Sequence, residues 1–157
     1  MMFELPMRAF CIMGRNDKDR IEMTIDKVFG FPETTTFEGG YEFKGSLTIH
    51  ASSYKVYSQN YYSSTGALYD LYISLVKCYD LLEGTAKYAL IYEKDLEFEL
   101  EMTQTGHAII NGEYTEIPHI SNTLVFQIDT DQSYIRDAID DLERVIALFG
   151  DNTGKIK

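Results

Sequence analysis

The chain has 157 residues, of which 45% are hydrophobic and 13% aromatic, so it is long enough to bury a core and fits one domain. Its 14 basic and 25 acidic residues give a formal net charge of -11, which repels phosphate backbones and anionic lipid. We therefore expect neither nucleic acid nor a membrane as a partner and favour a basic protein. No run approaches the roughly 18 to 20 apolar residues of a membrane span, and the N-terminus lacks a signal-peptide pattern, so we expect a cytoplasmic protein.

The first third of the chain alternates apolar and polar residues with the period of β-strands. We predict strands at residues 8–13, 21–28, 41–51 and 54–62. The short polar turn at Ser52 and Ser53 makes the last two an antiparallel hairpin. This hairpin leads directly into the most apolar helical pattern of the chain.

That pattern predicts a central helix at about residues 65–83. Its apolar side chains recur at steps of three and four residues: Leu68, Leu71, Tyr72, Leu75, Tyr79 and Leu82. One of the hydroxyls at residues 63–65 can cap its start, and Gly84 can end it in the left-handed conformation. A helix this apolar must be covered by other elements, so we interpret it as scaffold.

The rest of the chain repeats the order of strands followed by a helix. Strands are predicted at 87–92, 96–102, 107–117 and 123–129, and a helix at 133–149, capped by Asp131 or Ser133 and ended by Gly150. Short connections between strands require antiparallel pairing. We therefore predict an α+β domain at residues 1–150, with one extended antiparallel sheet of about eight strands packed by the two helices, and a flexible tail at 151–157.

The residues give no sign of catalysis, a metal or a cofactor. His50, His107 and His119 have no metal-ligand spacing, and neither a phosphate-binding glycine motif nor a nucleophile elbow is present. Cys11 and Cys78 lie in apolar patterns, so we expect buried free thiols and no disulfide.

Two acidic surfaces are candidate contact sites. Glu97, Glu99 and Glu101 project from one face of a predicted strand, where like charges need solvent, basic neighbours or a basic partner. The last helix places Asp137, Asp140 and Asp141 off its apolar stripe, and Asp140 is positioned to pair with Arg144. A solvated helix face would explain most of this second set.

The tyrosines suggest a third surface. The chain has 12 Tyr and no Trp, and several Tyr cluster before the central helix. Tyr57, Gln59 and Tyr61 would share one strand face and form an adaptable contact surface, although some tyrosines must belong to the core.

Three segments carry a resemblance to a known family. They are the strand-to-helix entry Ser64-Thr65-Gly66-x-Leu68-Tyr69, the helix end Cys78-Tyr79-x-x-Leu82, and Asp131-Gln132-Ser133-Tyr134 at the start of the last helix. Over about residues 38–150 the chain resembles the WapI-type immunity proteins, small bacterial cytoplasmic proteins paired with wall-associated, contact-dependent toxins. The resemblance implies an inhibitor without catalysis that binds the C-terminal domain of a cognate toxin, often a nuclease, and it implies no particular binding residues.

Three hypotheses of function follow. The first is a non-enzymatic immunity-like protein that neutralises a basic toxin domain through an acidic or tyrosine-rich surface. The second is a small-ligand-binding domain or an enzyme with a pocket between sheet and helices, in which His107 or His119 would converge with Glu113. The third is an assembly subunit, whose oligomeric state the sequence leaves open.

Overall fold

The computed structural model describes residues 4–92, 94–116, 120 and 122–156. Strands and helices follow in the order β1 (Met7–Met13), β2 (Arg20–Ile25), β3 (Lys27–Val28), β4 (Glu42–Ala51), β5 (Tyr54–Ser64), α1 (Thr65–Leu81), β6 (Gly84–Tyr88), β7 (Leu96–Met102), β8 (His107–Thr115), β9 (Thr123–Asp131) and α2 (Gln132–Phe149). This confirms the α+β class and both helices.

The strands divide between two antiparallel sheets, where we expected one extended sheet. In the first sheet β1, β2, β4 and β5 are neighbours in that order, and the short β3 lies on the same side of β4 as β2. The second sheet is a meander in the order β6, β7, β8, β9. The chain leaves the first sheet through α1, so β6 starts a new sheet. The strand predicted at residues 21–28 is divided at Asp26 into β2 and β3. The strand predicted at residues 87–92 lies earlier in the chain, as β6.

Each sheet has one apolar face, and these two faces meet in the core. The ring of Phe10 on β1 lies 6.1 Å from that of Phe98 on β7, centroid to centroid, and both side chains are buried. At the edge, the Thr130 hydroxyl of β9 donates to the Met13 carbonyl at 2.6 Å. The apolar face of each sheet is therefore covered by the other sheet, where we expected the helices to cover it. Helix α1 packs beside β6, and α2 packs beside β1.

The start of α1 packs directly on the backbone of residues 39–40. The Gly66 amide donates to the Gly39 carbonyl at 3.0 Å, and a Cβ atom at Gly66 would lie 2.3 Å from the Gly39 carbonyl carbon. These glycines therefore serve a close backbone approach. Ser64 caps the helix by accepting from the Ala67 amide at 3.2 Å. At the other end, Leu82 caps the helix in the left-handed conformation, and Gly84, where we expected a positive φ, has a φ of 96°.

The second helix begins and ends as predicted to within one residue. Asp131 caps it by accepting from the Ser133 amide at 3.0 Å, and the Gly150 amide donates to the Ile146 carbonyl at 2.8 Å. Both cysteines are buried free thiols, Cys11 on β1 and Cys78 on α1, as predicted.

Residues 151–156, expected to form a flexible tail, make specific contacts with the domain. The Gly40 amide donates to the Thr153 carbonyl at 2.8 Å. Asp70 on α1 accepts from Asn152 at 2.8 Å and from the Lys155 ammonium at 2.7 Å. These contacts tie the segment to α1 and to the loop that α1 packs against.

Candidate functional site

The outer face of the second sheet carries the acidic side chains of β7. Inward side chains of this strand, such as Leu96 and Leu100, are fully buried, so strict alternation turns Glu97, Glu99 and Glu101 outward. Glu99 and Glu101 are exposed, and Glu97 is half-buried. The prediction that these three side chains project from one face of the strand is therefore confirmed.

Neighbouring strands extend this surface with further carboxylates. Glu113 on β8 lies directly opposite Glu97, and Asp129 on β9 lies opposite Ile109, which in turn faces Glu101. We call the set Glu97, Glu99, Glu101, Glu113 and Asp129 the acidic face. The sequence prediction did not include Glu113 and Asp129 in this acidic surface. The alternation of β8 and β9, combined with a meander of strands, would have placed them there.

Between the carboxylates lies a row of amides. Asn111 faces Glu99 across β7 and β8, and its side-chain oxygen accepts from the Gln127 amide nitrogen at 2.8 Å. On β6, the Lys87 ammonium lies 4.0 Å from a Glu99 carboxylate oxygen, with both side chains more than half exposed. Exposed pairs of this kind contribute about 0–1 kcal/mol and are screened by salt. Arg15 also lies beside Asp129 and Gln127, so the five carboxylates of the face outnumber its two cations and the face keeps a net negative charge.

Two apolar side chains stand among these charges. Val125 is 75% exposed and lies opposite Glu113, and Ile109 is 36% exposed between the acidic strands. A shallow depression of about 300 Å³ runs between Val125, Glu97 and Glu113 above Gly112. At Gly112 an inward Cβ atom would lie 2.3 Å from the Phe126 ring, which explains the glycine. The surface thus combines negative charge with apolar contact points.

The acidic surface of α2 is smaller than predicted. Asp141 is only 4% exposed, because α2 packs against β1 at this residue. The Asp141 carboxylate lies 3.1 Å from the Arg8 guanidinium and also pairs with Arg144. Burial raises the pKa of Asp141, while the two arginines oppose that rise. The structure therefore places Asp141 in a buried ion pair and not on the exposed helix face where the sequence predicted it. Arg144 is paired with this residue and not with Asp140.

Asp137 and Asp140 remain on the solvent side of α2. Asp137 is exposed, and the Asp140 carboxylate lies 3.0 Å from Arg136, one turn earlier. Arg136 offsets one of the two carboxylate charges, so these three side chains carry less net negative charge than the acidic face. The structure does not bring these two residues to the acidic face.

A β-bulge separates the two tyrosines expected to share a surface. Tyr57 pairs with Thr48, but Tyr61 pairs with Gly45, so β5 carries one extra residue between them. The extra residue reverses the direction of the side chains that follow. Tyr57 is 62% exposed, whereas Tyr61 is 2% exposed and lies in the core. The prediction that Tyr57 and Tyr61 share one exposed strand face is therefore wrong.

The arrangement proposed for a ligand or catalytic pocket is not formed by the described residues. His107 and Glu113 lie at opposite ends of β8, six residues and about 20 Å apart. His119 lies outside the described residues. His50 sits beside Arg20 and Lys55, and burial followed by these charges lowers its pKa.

Within the described ranges, no three His, Cys, Asp or Glu side chains come together as metal ligands. Nor does any helix in that part of the chain have the length and apolarity to cross a bilayer.

Comparison with models of known families gives a match over most of the chain. The profile of the Immunity protein WapI-like family matches residues 11–150, most of the chain. The match includes β2 to β9 and α2, and it begins earlier than the segments that carry the resemblance noted from the sequence. Searches of curated proteins and of solved structures gave no significant match.

Proposed function

Because this chain belongs to the WapI-like immunity protein family, we propose that it binds and neutralises a toxin domain through the acidic face of its second sheet. The acidic face comprises Glu97, Glu99, Glu101, Glu113 and Asp129. Inhibition would result from occlusion of the toxin, without any chemical step by this protein.

The observation that supports the choice of surface is the direct opposition of Glu97 and Glu113. Like charges opposite each other across two strands destabilise a sheet, by an amount in the range of about 0.2–1 kcal/mol. This pair therefore does not serve the stability of the isolated fold. A positively charged partner would convert the repulsion into attraction.

The proposed partner is a basic C-terminal toxin domain. Complementary charge accelerates association and disfavours wrong partners. If the toxin is a nuclease, its nucleic-acid-binding cleft is positively charged, and a flat row of carboxylates could occupy it in place of phosphates. Val125 and Ile109 would supply apolar contacts within the charged surface.

A growth assay tests this proposal. The toxin for the test is sought among the reading frames next to this gene, and its C-terminal domain would be induced in a bacterial host, with or without the chain. We expect the chain to restore growth. Growth that stays arrested, with both proteins expressed and folded, would overturn the proposal.

Two matched variants test the surface in the same assay. Glu99→Lys/Glu101→Lys and Asp137→Lys/Asp140→Lys change the net charge equally, but only the first alters the acidic face. The first variant should protect poorly and the second should protect as the wild type does. The reverse result would transfer the binding surface to α2.

A further inference from the structure

A groove runs along the outer edge of β5, between the two sheets. One part of about 610 Å³ is lined by residues 54–57, by Tyr114 and Leu124 of the second sheet, and by Glu116, which follows β8. A second part of about 490 Å³ is lined by residues 57–61 and again by Tyr114 and Glu116. The two parts meet at Tyr57, so together they follow β5 over eight consecutive residues.

Consecutive residues of a strand point to opposite faces of their sheet. They can line one groove together only if the groove lies along the backbone edge of the strand. Within the described residues, β5 pairs with β4 and with no other strand. The groove therefore exposes the edge of β5 that faces away from β4, and residues such as Tyr114 and Glu116 line its opposite side.

The register indicates which backbone groups face the groove. Ala51 and Tyr54 flank the two-residue turn at Ser52 and Ser53, so they exchange hydrogen bonds across the hairpin. In an antiparallel ladder, alternate residues direct their N–H and C=O groups to opposite edges. The groups that point away from β4 thus belong to Lys55 and Tyr57.

We propose that an extended segment of the toxin domain adds to β5 as a further strand, an inference that rests on the proposed function. Backbone hydrogen bonds to Lys55 and Tyr57 would hold the segment, and side-chain contacts would select it. Glu116 is exposed on the far wall and fits a Lys or Arg of the segment. Tyr54 and Leu124 fit apolar residues at alternate positions.

The groove lies on the opposite side of the second sheet from Glu97 and Glu113, at the same end of β8 and β9. Leu124 and Tyr114 form the register pair next to Val125 and Glu113 on the second sheet. One basic partner can therefore cover the outer face of β7 to β9 and place an extended segment around the edge into the groove. Charge complementarity at Glu116 has the same sign as on the acidic face.

Hydrogen exchange on the complex tests this inference. The probe is the purified C-terminal domain of the toxin identified by the growth assay, and the readout is exchange at individual amides of this chain. The Lys55 and Tyr57 amides should exchange at least about tenfold more slowly in the complex than in the free protein. A tight complex in which both amides exchange as in the free protein would overturn the added strand and leave the proposed function standing.

A pair of substitutions at Lys55 separates the backbone from the side chain. Lys55→Pro removes the outward N–H of an edge strand, while Lys55→Ala removes only the side chain. We expect about tenfold weaker toxin binding for the proline variant, and less than about twofold for alanine. Equal affinities for the two variants would contradict strand addition.

A charge reversal keeps the test decisive if the proline variant does not fold. Glu116→Lys should weaken binding about tenfold at low salt if a basic side chain of the segment lies beside it. Unchanged binding would contradict the proposed occupant.

The remaining outcomes concern the partner. Protection of both amides in the free protein, together with a dimer by sizing, would assign the groove to a second copy and overturn the toxin segment. Absence of any complex with the toxin would overturn the proposed function and this inference together.

Discussion

The hydroxyl oxygen of Tyr61 on β5 lies 2.7 Å from that of Tyr88 on β6, so a hydrogen bond joins the two sheets through the core. The Ser63 hydroxyl lies 2.5 Å from the same Tyr88 oxygen. Burial raises the pKa of both tyrosines, which keeps them neutral at physiological pH. Three buried hydroxyls thus satisfy one another in an otherwise apolar interface.

Substitution of Tyr88 by Phe should destabilise the domain by about 1–3 kcal/mol. The ring would be kept, but the hydroxyls of Tyr61 and Ser63 would lose their partner in the core. Chemical denaturation with a two-state fit measures the change. Tyr54→Phe is the control, because Tyr54 is 65% exposed, and its stability should change by less than about 0.5 kcal/mol. Equal stabilities for the two variants would show that the buried hydroxyls do not depend on Tyr88.

Alanine at Gly66 should be destabilising in spite of its helical position. Gly→Ala within a helix normally stabilises by about 1 kcal/mol. Here the added Cβ atom would lie 2.3 Å from backbone at Gly39, so the loop or the helix must shift, at a cost of about 1–3 kcal/mol or more. Thermal unfolding compared with Lys77→Ala, an exposed site in the same helix, measures the effect. A Gly66→Ala protein as stable as the control would contradict the close approach.

Cys11 should make stability depend on pH in the alkaline range. Burial raises the pKa of its thiol from 9.0 to about 11. The unfolded thiol loses its proton near pH 9, whereas the folded one keeps it, so the free energy of unfolding falls as the pH rises from 9 to 11. Tyrosines with raised pKa values contribute to the same fall. The wild type should therefore lose more stability than Cys11→Ala between pH 8.5 and about 10.5. Parallel losses would show that the thiol is not shielded.

Patterns local to one element were predicted well from the sequence. The alternation of β7 identified the direction of Glu97, Glu99 and Glu101, and side-chain chemistry limited the helix caps to a few hydroxyl or carboxylate residues that include Ser64 and Asp131. These features depend on residues within a few positions of one another.

Features that depend on distant pairing were missed. The bulge in β5 arises because Tyr61 pairs with Gly45 while Tyr57 pairs with Thr48, and no local pattern reveals one extra residue. The burial of Asp141 likewise depends on Arg8, which is distant in the chain. The division into two sheets was missed for the same reason, because it depends on pairing between distant strands. Alternation shows that a strand has an apolar face, but it does not show which other element covers that face.

The most direct test of the acidic face is the association rate with the purified C-terminal domain of the toxin identified by the growth assay. Stopped-flow mixing would compare the wild type with Glu97→Lys/Glu99→Lys/Glu101→Lys over a range of salt concentrations. We predict association at least about tenfold slower for the variant at about 0.02 M salt, with the difference shrinking as salt screens the charges. An unchanged association rate at low salt would remove the acidic face from the toxin-binding surface.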